Sequence, residues 1–210
     1  MARLVAQLGP IEIREDSENP FRSLCRSIIF QQLSGKAAGT IFARFVQLFD
    51  GGATTDTAIR RSNPAWEPPA GPFPEPRAVL SKDDETLRAA GLSRQKIASL
   101  RSLAEHFSVG ELGSEAFDHW ADDEIVAHLT RVRGVGRWTA EMFLIFHLQR
   151  PDVLPVNDVG INRAIARQYE LEGIPGAEDV LRIGALWRPH ATAACLYLWR
   201  SEDVAVPSAG

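Results

Sequence analysis

Apolar side chains recur every three or four residues along most of this 210-residue chain, which is the spacing of one face of an α-helix. The two clearest stripes follow the helix-start pair Asn19-Pro20 and the residue Lys36. Their members are Phe21, Leu24, Cys25, Ile28 and Ile29, then Ala38, Ile41, Phe42, Phe45 and Leu48. No run of alternating apolar and polar residues is long enough to indicate a β-strand. The pattern therefore predicts an all-α fold.

Capping and helix-breaking residues divide the rest of the pattern into shorter helices. Ser81-x-x-Asp84 resembles a capping box, and Ser93 and Asp122 are candidate N-caps of the helices that follow them. Later helices are expected over about residues 137–148, 158–170, 177–184 and 189–200. Residues 57–77 contain six of the 13 prolines, so they are expected to form a loop.

Composition narrows the class of protein. Apolar residues make up 45% of the chain, which is enough for a core without disulfides. The two cysteines, Cys25 and Cys195, are too few to ligate an iron–sulfur cluster or a structural zinc ion, and are expected to be buried, reduced thiols. Neither a signal peptide nor an apolar run of membrane-spanning length is present, so we expect a soluble, cytoplasmic protein with no membrane partner.

The distribution of charge is more informative than the net charge of −4. An acidic chain is a weak candidate for nucleic-acid binding, because contacts to phosphates supply much of the affinity. However, Arg131–Arg167 contains six arginines against three acidic residues, whereas Glu111–Glu124 contains six acidic residues and no lysine or arginine. One face of the protein can therefore be basic although the whole molecule is acidic.

The segment Ile125–Phe146 carries the most specific pattern in the chain. It is predicted to form a helix, a tight turn over Gly134–Gly136, and a second helix that begins directly after the turn. Glycines let a ligand approach the backbone closely, and free N–H groups at a helix start attract phosphate. Arg133 and Arg137 flank the turn, so the segment is suited to hold a DNA backbone without reading its sequence. For the Gly-x-Gly pattern alone, a plain turn between two packed helices is the alternative.

This hairpin resembles that of the helix-hairpin-helix DNA glycosylase superfamily, and more closely that of its 3-methyladenine DNA glycosylase II branch, in which GxGRWTA is typical. Three further segments resemble the same branch in the same order, namely Phe21–Ala38, Phe73–Ala104 and Val153–Ala164. The resemblance covers about residues 20–200. It implies two helical lobes with a DNA-binding cleft between them. Residues 20–150 would form the lobe with the hairpin, and residues 1–19 and 151–210 the other.

The implied activity is hydrolysis of the N-glycosidic bond of alkylated bases, such as 3-methyladenine and 7-methylguanine, after the base has been flipped out of the duplex. Double-stranded DNA would be the partner, and we expect a monomer that requires no cofactor. Bifunctional relatives carry a lysine in the second helix of the hairpin, which attacks the sugar and leads to strand cleavage. Trp138 stands at that position, so a monofunctional enzyme without a lyase step is expected.

Asp158 is the implied catalytic residue. A fixed carboxylate stabilises the positive charge that develops on the sugar as the glycosidic bond breaks, and it can position or deprotonate water. From the local sequence alone, the favoured interpretation of Asp158 is the N-cap of the helix that follows. The two roles are compatible, and Asn157 is the other candidate for the cap.

The base pocket is expected to stack aromatic side chains on a cationic base. The residues implied for it are Trp138, Met142, His190 and Phe30. Met142 and His190 stand where relatives place aromatic residues, so a glycosylase for another damaged base stays an alternative. Ordinary burial is the alternative for Trp138, and core packing is the favoured interpretation for Trp187, Tyr197 and Trp199.

The implied DNA contacts come from the hairpin and from the loop after the first matched helix. They are Arg133, Gly134, Val135, Gly136 and Arg137, with Gln32, Leu33, Ser34 and Lys36. Leu33 would fill the gap left by the flipped base, with packing at a helix end as the alternative. Main-chain carbonyls of Thr130, Val132 and Val135 would hold a monovalent cation that bridges the hairpin to a phosphate. A DNA-binding module without catalysis is a further alternative, and the presence of Asp158 and Trp138 counts against it.

Overall fold

The computed structural model describes residues 1–11, 19–49 and 73–205, apart from the side chains of residues 203–205. All regular structure in these ranges is helical, which confirms the expected all-α fold. The helices are α1 (Ala2–Leu8), α2 (Pro20–Phe30), α3 (Gly35–Gln47), α4 (Pro76–Ser81), α5 (Asp84–Ala89), α6 (Arg94–Ser108), α7 (Ser114–His119), α8 (Asp122–Leu129), α9 (Arg137–Phe146), α10 (Val159–Gln168), α11 (Ala177–Gly184), a 3-10 turn (Ala185–Trp187) and α12 (Ala191–Ala205). None of these helices is both long enough and apolar enough to cross a membrane.

Two compact units make up the chain. The C-terminal unit comprises Met1–Ser17 and Arg137–Gly210, and the central unit comprises Glu18–Gly136. The division falls directly after the hairpin turn, whereas the family resemblance implies a boundary near residue 150. At the start of α9, the Trp138 indole donates a hydrogen bond to Asp158, the N-cap of α10 in the C-terminal unit. Most of the expected loop over residues 57–77 lies outside the described residues, and its last two residues begin α4.

The core of the C-terminal unit lies where α12 packs against α10 and α1. Its buried members are Leu4, Leu154, Ile161, Ala164, Ile165, Val180, Ile183, Trp187, Ala191, Ala194, Cys195 and Leu198. Tyr197 packs against this core, and its hydroxyl donates a hydrogen bond to the Gly9 carbonyl at 3.0 Å, which ties the end of α1 to α12. Core packing is therefore confirmed for both Trp187 and Tyr197.

The core of the central unit is rich in phenylalanine. There α2 packs against α3 and α6, and α6 also packs against α4 and α5. Phe42 and Phe73 stack with their ring centroids 5.9 Å apart, and Phe21 lies 5.1 Å from Phe107. Cys25 is buried in this unit and Cys195 in the other, and both are free thiols, as expected. Burial raises the pKa of the Cys25 thiol well above its usual value.

Helix starts follow the expected capping residues at some positions and shift at others. The side chain of Asn19 accepts from the Phe21 N–H at 2.8 Å, and Ser93 caps α6. The capping box expected at Ser81 is wrong, because Ser81 ends α4 and Asp83 caps α5 instead. Asp122 is likewise not the cap of α8. That helix begins at Asp122, and the Glu124 carboxylate accepts from the Ala121 N–H at 2.8 Å.

The turn between α8 and α9 is held by residues of α6. Gly134 has φ +77° and lies so close to α6 that a Cβ atom there would overlap Ser99 Oγ. Ser99 is buried and its hydroxyl donates to the Gln95 carbonyl at 3.0 Å. One turn later, Ser102 Oγ accepts from the Arg133 N–H at 3.1 Å. Glycine is therefore required at position 134 both by the backbone conformation and by the close approach of α6.

Replacing Gly134→Ala should lower the free energy of unfolding by about 2 kcal/mol, from left-handed strain and overlap with Ser99. In a Ser99→Ala background the overlap with the hydroxyl disappears, so the further loss should fall to about 1 kcal/mol. Urea unfolding of the single and double variants measures both values. Gly110→Ala is the matched control for strain alone, since Gly110 has φ +76° and open space around its Cβ position. An unchanged Gly134→Ala loss in the Ser99→Ala background would contradict the close contact.

Candidate active site

Asp158 is a buried acid at the start of α10. It is the N-cap of that helix, and its Oδ1 accepts a hydrogen bond from the Ile161 N–H at 2.8 Å. The residue is only 7% exposed. The interpretation of Asp158 as an N-cap is therefore confirmed, and the exposed Asn157 does not supply the cap.

Two tryptophans from other helices hold the same carboxylate. Trp138, in the first turn of α9, donates its indole N–H to Asp158 Oδ2 at 2.7 Å. Trp199, on α12, donates its indole N–H to Asp158 Oδ1 at 2.9 Å. An indole nitrogen can only donate a hydrogen bond, so the Asp158 carboxylate is the acceptor of both indole hydrogen bonds. Three donors thus offset the cost of burying this carboxylate.

Aromatic rings extend from this carboxylate to the surface of the C-terminal unit. Trp138 is 49% exposed, so the alternative of ordinary burial is wrong for this residue. Phe146, at the end of α9, is 45% exposed and stacks on Trp199 with ring centroids 5.7 Å apart and planes at 27°. Trp199 packs against the core, as expected, but it also belongs to the site. The C-terminal unit therefore presents accessible aromatic surface beside a buried acid.

The other residues expected in the base pocket lie on different elements, and one of them belongs to the central unit. Met142 is half-buried on α9, one turn after Trp138, and His190 is exposed directly before α12. Phe30 belongs to the central unit, where its ring centroid lies 6.5 Å from that of Phe42. Of the residues expected in the pocket, Trp138 and Met142 lie on the same helix, and Trp138 contacts Asp158 directly.

A second buried acid lies on α9, near Asp158. Glu141 Oε1 accepts from Arg137 Nε at 2.9 Å, so the arginine expected to contact phosphate is anchored to a carboxylate. Burial raises the pKa of Glu141, the hydrogen bond and charge of Arg137 oppose this, and the negative charge of Asp158 adds to the increase. Glu141 thus holds the guanidinium of Arg137 by its Nε, and the Arg137 side chain is 60% exposed.

The turn before α9 exposes its main chain. Arg133, Gly134 and Gly136 are exposed, whereas the Val135 side chain is buried and its N–H donates to the Val132 carbonyl at 3.1 Å. Thr130 ends α8 as its C-cap. Helix α9 begins at Arg137, directly after the turn in sequence.

The loop between α2 and α3 is exposed and is tied to the hairpin turn. All four residues expected to contact DNA here are exposed, namely Gln32, Leu33, Ser34 and Lys36. Leu33 is 38% exposed, and Gln32 has φ +58°. The side chain of Gln31 donates to the Gly134 carbonyl at 3.1 Å. The loop and the turn therefore share a direct hydrogen bond within the central unit.

Lys96 binds the main chain at the point where this loop begins. Its ammonium group donates to the carbonyls of Ile28, Ile29 and Gln31 at 2.9, 2.7 and 2.8 Å, at the C-terminal end of α2. The last carbonyls of a helix lack the partners that earlier carbonyls have within it, and a cation at this end also interacts favourably with the helix dipole. Partial burial lowers the pKa of Lys96.

Residues 25–189 match the HhH-GPD superfamily of base excision DNA repair proteins. The chain belongs to this superfamily. It is 34% identical to DNA-3-methyladenine glycosylase 1 of Schizosaccharomyces pombe over 206 residues, which cover 98% of this chain and 82% of the relative.

Solved structures extend this relationship. The chain resembles the S. pombe 3-methyladenine DNA glycosylase in complex with abasic DNA, with a TM-score of 0.76 and 34% identity, covering 97% of this chain and 91% of that one. It also resembles a DNA-3-methyladenine glycosidase from Bacillus halodurans, with a TM-score of 0.78 and 34% identity, covering 95% and 82% of the two chains. The family resemblance seen in the sequence is thereby confirmed.

Two features of this HhH-GPD member were missed by sequence reasoning. Trp199 lies 41 positions from Asp158, and the apolar stripe of α12 does not indicate where its indole N–H points. Lys96 lies 65 positions from Gln31, and nothing in its own helix marks it as a partner of α2. A signal for both exists only in the tertiary structure, because hydrogen bonds between distant helices leave no periodic pattern in the sequence.

Replacing Lys96→Met should loosen the loop between α2 and α3. We expect the free energy of unfolding to fall by about 2 kcal/mol, because three carbonyls lose a charged donor. Amide hydrogen exchange at Gln32 and Leu33 should accelerate. Lys82→Met is the matched control, since Lys82 is a lysine of the same unit that lies over the Phe49 ring. Equal stability and equal exchange in the two variants would contradict the bracing role of Lys96.

Proposed function

We propose that this chain is a monofunctional DNA glycosylase of base excision repair, which hydrolyses the N-glycosidic bond of alkylated purines in double-stranded DNA. The observation that carries the proposal is the buried Asp158 carboxylate, held by two indole N–H groups and a backbone N–H. The chain belongs to the HhH-GPD superfamily and is similar to 3-methyladenine glycosylases. Both findings support alkylated purines as the substrate class.

Asp158 acts on the charge that develops in the reaction. As the bond between base and sugar breaks, positive charge accumulates on the sugar ring. A carboxylate that is already fixed in a poorly solvated position stabilises this charge without reorganising. Oδ2 accepts one indole hydrogen bond, so it keeps a lone pair for a water molecule or the sugar. One carboxylate suffices, because an alkylated purine that carries positive charge is a good leaving group.

The exposed aromatic surface supplies the recognition of the base. Cationic purines such as 3-methyladenine and 7-methylguanine are attracted to the face of an aromatic ring. Trp138 combines an exposed ring with a hydrogen bond to Asp158, so a base that stacks on it lies close to the catalytic carboxylate. Met142 is on the same helix and contributes apolar contact, while the exposed His190 stacks less strongly than a larger aromatic ring would.

The missing lysine sets the outcome of the reaction. Bifunctional members of the superfamily use a hairpin lysine as the nucleophile that leads to strand cleavage. In this chain Trp138 occupies that position. The proposed product is therefore an intact strand with an abasic site, produced by hydrolysis alone.

The central unit provides the grip on the DNA backbone. The exposed main chain of the hairpin turn binds a phosphate, with Arg133 in the same turn. The carbonyls of Thr130, Val132 and Val135 have the donor chemistry for a monovalent cation, and that of Val132 keeps one lone pair after accepting from Val135. The exposed Leu33 enters the gap left by the flipped base. The protein acts as a monomer on DNA.

Base release by wild type and by the Asp158→Asn variant tests the proposal. Alkylated duplex DNA is incubated with each protein, free methylated purines are quantified, and the strands are analysed with and without hot alkali. The wild type should release 3-methyladenine or 7-methylguanine, with strand breaks appearing only after alkali. Asp158→Asn should release bases at least about 100-fold more slowly, because the carboxylate charge is lost.

Asp179→Asn is the matched control, since Asp179 lies in the same unit and pairs with Arg182 on the surface. Its release rate should equal that of the wild type. Strand breaks without alkali would contradict the monofunctional assignment. Release by Asp158→Asn at the wild-type rate would contradict the role of Asp158. Release of only oxidised or deaminated bases, measured across a panel of lesions, would overturn the substrate class alone.

A further inference from the structure

The two indoles that hold Asp158 differ in their surroundings. Trp138 is half-exposed and, in the proposed function, contacts the base. Trp199 packs against the core of the C-terminal unit and stacks on Phe146. The neighbouring Leu198 is fully buried, so the backbone of α12 is anchored at this point. Trp199 is therefore the donor whose position depends on the fold rather than on the bound base.

We propose that Trp199 is a positioning residue that sets the orientation of the Asp158 carboxylate, and that Gly160 is needed because it leaves room for the Trp199 indole. The proposal rests on the proposed function, in which Asp158 is the catalytic residue. It assigns a function in the reaction to two residues that stand outside the hairpin.

The N-cap interaction alone does not fix the carboxylate. The terminal torsion of an aspartate has a broad energy profile, and either oxygen can accept from the helix N–H. Here Oδ1 accepts from Ile161 N on α10 and from the Trp199 indole on α12, so it is held from two elements. Oδ2 is then the oxygen that lies beside the half-exposed Trp138. Without Trp199, the carboxylate keeps only the cap bond from Ile161 N and the bond from Trp138. Because the Trp138 ring is half-exposed and contacts the base in the proposed function, the direction of Oδ2 is then held less firmly.

The negative charge of Asp158 also acts on the Cys195 thiol of α12. Cys195 lies one turn before Trp199 on the same helix. Its pKa is raised to about 12, first by burial and then by the charge of Asp158. The carboxylate thus acts on two successive turns of α12.

Gly160 is required by a contact rather than by its backbone. It lies in the first turn of α10 without a left-handed φ, so any residue can adopt its conformation. A Cβ atom there would lie 3.2 Å from Asp158 Oδ1 and 3.2 Å from Trp199 Cδ1. Both neighbours would have to move by a few tenths of an ångström. Glycine has a lower helix propensity than alanine, and the space it leaves at this contact explains its presence.

Trp199→Phe and Gly160→Ala test the proposal in two independent ways. The first keeps an aromatic ring against Phe146 and removes the indole N–H. The second keeps the indole and displaces it from the carboxylate. Rates of base release are measured in single turnovers on the lesion that the wild type processes. Affinity is measured separately, on duplex DNA that contains an uncleavable abasic-site analogue, and thermal midpoints report folding.

Matched controls separate positioning from folding. Trp187→Phe also removes an indole hydrogen bond of the C-terminal unit, the one to the Tyr169 hydroxyl at 3.3 Å. Gly184→Ala introduces a Cβ that overlaps the Leu154 side chain in the same core. Gly184→Ala should lower the thermal midpoint. Both control variants should keep the wild-type rate per folded molecule.

The positioning variants should instead show slow chemistry with intact binding. Trp199→Phe and Gly160→Ala are expected to lower the single-turnover rate by about tenfold or more, while DNA affinity stays within about twofold. The midpoint of Gly160→Ala should stay within about 3 °C of the wild type. Rates within twofold of the wild type in both variants would overturn the proposal, as would a loss that only tracks the midpoint.

The indole N–H signals give a readout that does not depend on activity. The chain has five tryptophans, so each signal can be assigned in a ¹H–¹⁵N spectrum by substitution. Gly160→Ala should shift the Trp199 signal and leave that of Trp187 in place. If the wild type released no base from any lesion, the proposed function would fail. The spectra would then decide whether Gly160 admits the Trp199–Asp158 contact: a shift supports it, and an unmoved Trp199 signal overturns it.

Discussion

A buried carboxylate that must accept hydrogen bonds from three elements organises the C-terminal unit. Asp158 would be strongly destabilising in its 7% exposed position if it were left without partners. The backbone of α10, the first turn of α9 and the middle of α12 each provide one donor. The same contacts explain why α9 groups with the C-terminal helices rather than with α8. Local capping, the packing of three helices and the proposed chemistry therefore depend on one side chain.

In the central unit, polar side chains provide hydrogen-bond partners for backbone groups in a similar way. Helix ends leave carbonyls without partners, and here a lysine ammonium takes three of them at the end of α2. Gln31 then connects that helix end to the Gly134 carbonyl, and Ser99 of α6 lies close to the Cα atom of Gly134. The loop between α2 and α3 and the hairpin turn are both exposed and are proposed to contact DNA. Hydrogen bonds from Lys96 and Gln31, and one to Ser102, hold the main chain of these two segments. Such anchoring keeps a loop accessible without leaving it unsupported.

What could be predicted from the sequence was local or periodic. Helical spacing predicted the all-α fold, and the glycines at positions 134 and 136 predicted the turn before α9. The cap at Asp158 was also readable, because it depends on residues within one turn. The cap of α5 was missed, since Asp83 competes with Ser81 for the same helix start and a carboxylate reaches the Thr86 N–H. Trp199 was recognised only as a packing residue, because the direction of an indole N–H is decided by tertiary structure.

We propose that the Asp158 charge stabilises positive charge on the sugar. Binding of two abasic-site analogues, placed in otherwise identical duplexes, measures this effect. One carries a protonated pyrrolidine ring, which mimics the charged transition state, and the other a neutral tetrahydrofuran ring. The wild type should bind the charged analogue at least about tenfold more tightly relative to the neutral one, a difference of about 1.4 kcal/mol. In Asp158→Asn this preference should disappear. An equal preference in both proteins would show that the Asp158 charge does not stabilise a cationic sugar.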